Sequence, residues 1–450
     1  MRGKIAKIIA GIILLSLAWG QEKVLTLEEC IRLAATQNPQ VLAAQEEYKA
    51  AKAKRYQAAA ALLPSAKLQG TYTRLDEAPY TVMNPENIPF LPPGTPPMKI
   101  EMGKDEMDKI ELQIVEPISA QIWTGLSLAN TGVRQKELSL KKARTEAVLN
   151  ALKAYYQFLQ AKGFLKIAQV SKQQIDAHIK DLENMYAQGI VHKKDLLKAQ
   201  VHQSEGELML LQAQNAVELA RKSLCMAIGL PQETQITIAE SLSFEEYNLP
   251  LDSVLALTKR NSFDAKLIDI GVEATGKQVT LAWEGLLPSF SAIFNYDYQK
   301  PNRELENEWY DSWTAVGVIQ WNVFDWGANI AKIKEAAHTK KQMEYMRKSA
   351  LEGIELQARA SYLSLMEKKE KLEVARKEVE TAQENFKVTK DMFHSGAATN
   401  SELLDAQSDL TRAKINLNNY LADYNIAKAQ LDYLTGALEQ KIEKIIAETR

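Results

Sequence analysis

Two stretches decide how this chain folds: Met185–Gln200, "MYAQGIVHKKDLLKAQ", and Met392–Gln407, "MFHSGAATNSELLDAQ", 207 residues further on. Each sets a glycine between two long helical patterns, where a left-handed residue ends a helix. The register holds around them: Tyr155 matches Tyr362, Leu196-Leu197 match Leu403-Leu404, and Gly229 matches Gly436. Upstream the offset becomes 224, because "LLPS" at 62–65 recurs at 286–289. The 17-residue difference falls in the proline-rich "EAPYTVMNPENIPFLPPGTPP" of the first half. The chain therefore divides into a leader at 1–20, a first repeat at 21–236, a second at 237–436 and a tail at 437–450. Each repeat runs helix, strand, loop, strand, long helix, turn, long helix.

The helices announce themselves by period. Leu351, Ala358, Leu365, Leu372, Val379, Phe386 and Phe393 recur every seven residues, as do Leu403, Leu410, Leu417, Tyr424 and Leu431. The first half has a matching seam of small residues at Ala199, Gly206, Ala213, Ala220 and Ala227. Heptads sustained this long predict supercoiled helices, and alanine lets them approach closely. A single helix over 328–394 would be about 100 Å long, which suits a rod or a tube rather than a globule.

Four segments between the helices alternate with period two: "SAKLQGTYTR", "MDKIELQIVE", "SFSAIFNYDY" and, less cleanly, "SWTAVGVIQWNV", where Val316 and Val318 share the face of Thr314 and Gln320. Strands of about ten residues, apolar on one face and polar on the other, fit a transmembrane barrel, although a soluble antiparallel sheet has the same pattern. Trp309, Trp313, Trp321 and Trp326 flank the fourth segment and Trp123 follows the second, as interfacial aromatic girdles do. Beyond the leader no apolar run reaches the length of a spanning helix, so any spanning structure must be a β-barrel. Four strands cannot close one; copies of the chain must share it.

At the N-terminus Arg2, Lys4 and Lys7 precede "IIAGIILLSLA" and the small pair Ala18 and Gly20, the pattern of a secretory signal peptide. Its loss moves the formal charge from −2 to about −5, and no basic block suggests nucleic acid. Cys30 and Cys225 each sit inside a helical pattern, which favours two buried thiols over a disulfide. No phosphate loop, zinc spacing or nucleophile elbow points to an enzyme, and no cofactor or metal is expected. His178 and His202 are symmetric about the first turn and would face each other across one hairpin, without a third ligand. A periplasmic coiled-coil adaptor, with one hairpin and a compact β-domain, is the rival reading.

In this order the features resemble the TolC-like outer-membrane efflux proteins: "LTLEECIRLAATQNPQV" at 25–41, both "LLPS" junctions, "VFDWG" at 323–327 and both turns. The resemblance implies a mainly α fold with a membrane β-barrel. Coiled-coil hairpins would form an α-barrel standing on a shared trimeric, twelve-stranded β-barrel, four strands per chain. It implies a homotrimer in outer-membrane lipid with a long periplasmic extension, acting as the exit duct of a tripartite efflux or type I secretion system. A periplasmic adaptor protein and an inner-membrane pump or ABC transporter would work with it at the tips. Glu402 and Asp405, on one helix face, and Asp195 in the first turn would ring the periplasmic constriction. Thr399-x-x-Glu402 is also a capping box, and the two roles are compatible. Gly189, Gly396, Tyr186, Phe393, Leu196 and Leu403 would form the docking tips. Where some members close the mouth with an arginine this chain has Ala398, and Phe393 replaces a tyrosine. A bridge from Lys193 or Lys194 to an acid across the hairpin is the substitute expected.

Overall fold

The computed structural model describes residues 23–84, 90, 92, 96–302 and 306–448. The signal peptide expected at 1–20 lies outside them. Strand β1 (Lys23–Leu25) leads into α1 (Leu27–Gln37) and α2 (Pro39–Ala60). Strands β2 (Ser65–Arg74), β3 (Tyr80–Met83), β4 (Met98–Glu101) and β5 (Glu106–Ile118) follow, then α3 (Ala120–Ala187) and α4 (Lys193–Ala227). The second half runs β6 (Ile236–Ile238), α5 (Leu251–Asn261), α6 (Phe263–Glu284), β7 (Ser289–Lys300), β8 (Tyr310–Gln320), α7 (Ala328–His394), α8 (Asn400–Thr435) and α9 (Ala437–Glu448).

The duplication survives in element length. Helices α1 and α5 have 11 residues each, α2 and α6 have 22, α3 and α7 have 68 and 67, and α4 and α8 have 35 and 36. The punctuation is local chemistry. Thr26 and Glu29 close a reciprocal cap on α1, and Pro39 opens α2, where its missing N–H costs nothing. The proline-rich insertion of the first half carries the β3–β4 ribbon, which pairs Met83 with Met98.

Two compact units take parts of both repeats: Met1–Tyr48, Lys136–Asp269 and Met346–Arg450 form one, Lys49–Gln135 and Ile270–Tyr345 the other. In the first unit, Ile31 and Ala34 of α1 pack with Val148, Leu152 and Tyr155 of α3, Leu224 of α4, and Leu438 and Ile442 of α9. Residues β1 and β6 close this core as a short parallel ladder, Val24 opposite Thr237. Cys30 and Cys225 are both buried thiols within it, and burial pushes the Cys225 thiol up. The Tyr155 hydroxyl donates to Glu240, and burial with that contact keeps the phenol protonated.

The long helices of this unit lie side by side in the order α4, α3, α8, α7. Gly206 of α4 would place a Cβ 3.5 Å from Ile175, and Gln203 donates to Asp176 at 2.8 Å, so α4 sits on α3. Across the next seam, Asn418 Nδ2 donates to the Gln160 carbonyl at 2.9 Å, and the hydroxyls of Ser171 and Thr411 are 3.3 Å apart. Leu365 of α7 is buried with Tyr424 and Leu431 of α8. Of the heptad positions expected along the seams, Ala199, Gly206, Ala213, Ala358, Leu365, Leu372, Leu403 and Leu410 are buried, whereas Ala220, Ala227, Leu351, Val379, Phe386 and Leu417 are half-buried. The two end helices carry a second apolar line. Leu197, Val201 and Leu208 on α4, and Leu356, Leu363, Val374 and Val388 on α7, are exposed. At 100° per residue each line lies opposite its helix's inner seam.

The second unit holds a four-stranded antiparallel sheet in the order β2-β5-β7-β8. Pairing sets Leu68 opposite Leu112, Ile114 opposite Phe294 and Tyr296 opposite Trp313 on one face. On the other, Gln113 donates to Asn295 at 3.1 Å and Lys109 lies 3.0 Å from Asp297. Val316 opposite Ile293 and Val318 opposite Ser291 stand on that polar face, as their parity requires. The apolar face is the exposed one: Phe290, Phe294, Tyr296 and Tyr298 alternate with half-buried Ser291, Ile293, Asn295 and Asp297 along β7. No helix among the described residues is long and apolar enough to cross a membrane.

Four glycines adopt left-handed geometry at matched positions, yet their surroundings differ. A Cβ on Gly229 (φ +78°) would lie 2.5 Å from the Gln37 carbonyl oxygen, whereas one on Gly189 (φ +71°) meets nothing within 4 Å. Gly189→Ala should therefore cost only the conformational term of about 1–2 kcal/mol. Gly229→Ala must also displace backbone, and should lower the thermal unfolding midpoint by clearly more in a side-by-side calorimetric scan.

Candidate functional site

The hairpin tips are built by the same hydrogen bonds twice. In the first, Gly189 N–H bonds the Tyr186 carbonyl at 2.9 Å and Ile190 N–H bonds Met185 at 2.9 Å. In the second, Gly396 bonds Phe393 at 3.1 Å and Ala397 bonds Met392 at 2.8 Å. This paired closure satisfies the last carbonyls of α3 and α7 and requires the positive φ that glycine supplies. Each following helix starts on its own cap. Thr399 Oγ1 accepts from Glu402 N–H at 3.3 Å while Glu402 Oε2 accepts from Thr399 N–H at 2.7 Å. In the first turn, Asp195 Oδ2 accepts from His192 N–H at 3.2 Å.

Beneath the turns lies a shared apolar cluster: Ile175, Ile179 and Leu182 of α3, Ala199 of α4, Phe393 of α7, and Leu403 and Leu404 of α8. Leu196 and Ala398 pack against it in part. Of the residues expected at the docking tips, Tyr186 is exposed, Leu196 half-buried, and Phe393 and Leu403 buried, so the last two support the tips from inside. Glu402 and Asp405 lie together on the exposed face of α8, and Asp195 is half-buried at the start of α4. The Thr399 backbone and hydroxyl bonds hold the Glu402 carboxyl below the usual carboxylate range.

The expected bridge from Lys193 or Lys194 does not form among the described residues. Both are exposed at the tip, and the cross-hairpin lysine is Lys198, whose ammonium donates to the Ser401 hydroxyl. His178 and His202 do not face each other either. His202 lies 3.0 Å from Glu205 on its own helix, while His178 is buried and bonds Asn400 across the seam. Sequence symmetry pointed to the wrong partner because α3 turns that face toward α8, not α4. Asn400 itself escaped the sequence reading; an asparagine one residue after the Thr399 cap was its only signal. Among the described residues no group of three or more His, Cys, Asp or Glu side chains could hold a metal ion.

In the sheet unit the expected tryptophans Trp123, Trp309, Trp313, Trp321 and Trp326 are all exposed, and Trp283 at the end of α6 joins them unforeseen. Trp309 stacks on Tyr298 at 4.8 Å and Trp321 donates to the Leu286 carbonyl at 3.0 Å. Trp326 is 90% exposed and left-handed at φ +56°. That conformation costs a non-glycine residue about 1–2 kcal/mol. Asp325 holds the corner: its carboxylate accepts from Gly327 N–H at 3.0 Å and Asn329 N–H at 2.8 Å, starting α7.

Comparison with known proteins agrees with this geometry. The sequence profile of one family, described as outer membrane efflux protein, matches residues 30–230 and 255–437. Outer membrane protein TolC of Vibrio cholerae is 21% identical over 326 residues, 71% of this chain and 74% of that protein. Alkaline protease secretion protein AprF of Pseudomonas aeruginosa is 22% identical over 324 residues, 70% of this chain and 67% of that protein. The crystal structure of the Campylobacter jejuni CmeC outer membrane channel superposes with a TM-score of 0.77 at 14% identity, covering 93% of this chain and 89% of that one.

The cap on α8 carries a pH signature. Because the folded Glu402 carboxyl titrates below its unfolded value, its contribution is fully present above about pH 4.3 and is lost as pH falls through the folded value. Amide hydrogen exchange in the first turn of α8, corrected for intrinsic rate, should stay slow down to that pH and quicken below it. In Thr399→Ala it should be fast throughout.

Proposed function

This chain belongs to the outer membrane efflux protein family, and from that footing we propose that it is one subunit of a trimeric, passive exit duct. The family places it in the outer membrane as an efflux channel with a long periplasmic extension, which displaces the adaptor reading. The subunit number, the partners and the residues of the mouth are our proposal. The sheet carries the assembly argument. Its outer face is apolar and its two edge strands, β2 and β8, have no outer strand partner among the described residues. In hydrocarbon each unpaired backbone group costs several kcal/mol, and a closed barrel needs about eight strands at least. Three copies close a barrel of twelve. The helices call for the same neighbours: the apolar lines of α4 and α7 lie on opposite edges of one row, and head-to-tail contacts of that kind generate rings.

The two repeats, 21–236 and 237–436, then supply alternating hairpins round the periplasmic mouth, with the tail at 437–450 packed on the core. Glu402 and Asp405 from three copies surround the opening, with Asp195 on the neighbouring tips, and favour cations. A periplasmic adaptor docks on the Gly189 and Gly396 turns through exposed Tyr186, while Phe393 and Leu403 keep those turns rigid. The Trp girdle meets outer-membrane lipid. Cargo is chosen by the inner-membrane pump or ABC transporter; AprF is named for protease secretion, so polypeptide and small-molecule cargo both fit. The chain conducts and does not catalyse.

Purified mature protein should run as a trimer by native mass spectrometry and give discrete, cation-selective steps in planar bilayers. Glu402→Gln with Asp405→Asn should at least halve the cation preference. Leu208→Glu with Leu363→Glu, which puts carboxylates on both apolar edges, should leave monomers. Stable wild-type monomers without conductance would overturn the duct.

A further inference from the structure

We propose that His178 and Asn400 form the latch that ties the two hairpin tips together and so sets the resting width of the mouth. The proposal rests on the duct reading above. His178, on α3, is 8% exposed and Asn400, the first residue of α8, is 5% exposed. His178 Nε2 and Asn400 Oδ1 are 2.7 Å apart, and Asn400 Nδ2 donates to the Asp195 carbonyl of α4 at 3.0 Å. One amide therefore joins α8 to both helices of the first hairpin. The imidazole also lies edge-on to Phe393 of α7, with centroids 5.3 Å apart. All four helices meet at this pair.

The directions of the bonds follow from the amide. Its NH2 group is engaged by Asp195, so its oxygen accepts and His178 Nε2 carries the proton. Removing either side chain leaves a buried polar group without a partner. Other contacts restrain the tips less specifically. The apolar cluster is non-directional, Lys198 and Ser401 meet at the surface, and Ala398 adds only apolar contact. The Ser171–Thr411 and Gln160–Asn418 bonds lie further from the turns along the same seam. The turn glycines themselves add no packing, because a Cβ on Gly189 or Gly396 would touch nothing. A hydrogen bond has one length and one direction, and it fixes where the second tip sits against the first.

The latch also responds to acid. Burial keeps His178 neutral, with His394 and Lys390 of α7 acting in the same sense and the Asn400 bond and Asp181 of α3 opposing. Asp195 of α4 and Glu402 of α8 are occupied by their caps at the turns. Protonation takes place at Nδ1 and leaves the Nε2–H bond in place, but it buries a charge beside Lys390 and His394. The pair is therefore stable above the free histidine value near pH 6.5 and loosens as pH falls below it.

Single-channel conductance of the full mature protein at pH 7.5 tests this. His178→Ala and Asn400→Ala should each raise conductance at least twofold, and the double variant should add little to the larger single effect. His178→Gln, whose amide can donate to the same oxygen, should return towards wild type and lose the rise in conductance expected of wild type at pH 5.5. Assembled alanine variants that conduct as wild type does would overturn the latch, even if they melt earlier. Should those variants fail to assemble, Asn400→Asp keeps volume and acceptor but loses the donor to Asp195. Its conductance at pH 7.5 must rise, and because a carboxylate facing the imidazole favours the protonated form, its response to acid must be lost or reversed; no change in either overturns the proposal. A silent wild-type protein would overturn the duct reading and the latch with it, whereas a conducting wild type with unresponsive variants removes the latch alone.

Discussion

A backbone N–H in hydrocarbon has nothing to bond except another strand, and the architecture depends on that constraint. Strands β2 and β8 each end the sheet with a row of such groups facing outward. In the proposed trimer, closing the row makes a ring of copies, and the helices of each copy then need lateral neighbours on both sides. Their apolar edges on α4 and α7 meet that need, and their inner seams are lined with small residues so that adjacent helices stand close.

The seams divide the work between two kinds of contact. Within each hairpin, heptad alanines and leucines supply non-directional burial: Ala199 and Ala213 on α4, Leu365 and Leu372 on α7. Between hairpins the α3–α8 seam is dotted with side-chain amides and hydroxyls, at Gln160, Ser171, Gln407, Thr411 and Asn418. Buried polar contacts add little net stability, yet each is strongly directional. A hairpin is thus held firmly as a unit, while its position against the other hairpin is defined by a few geometric bonds.

Most of the fold could be read from the chain because its signals are local and repeated. Period seven, period two, and glycines followed by caps each specify an element without reference to distant residues. The internal copy then checked each reading against a second. What escaped has the opposite character. Three-residue strands β1 and β6 pair across more than two hundred positions, too short to show a period. The β3–β4 ribbon hides in a proline-rich insertion with no copy to compare. His178 and Asn400 are joined only by the packing of one hairpin on the other, and the symmetry that served elsewhere misdirected His178 to His202. By contrast, Glu402 and Asp405 were legible as one face of α8, and the Thr399–Glu402 cap as a spacing, because both are local.

The two turns share a backbone and differ in charge. In the first, Lys193, Lys194 and Lys198 outweigh Asp195; in the second, Glu402 and Asp405 stand with no lysine or arginine in the aligned stretch. A ring built from three such chains has six tips of nearly one shape but alternating sign. By shape alone a docking protein could settle in six rotational positions; by charge, only three are equivalent. In the proposed trimer, divergence of the duplicated halves would therefore turn a near-sixfold mouth into a threefold one, and give whatever caps it a defined rotational register.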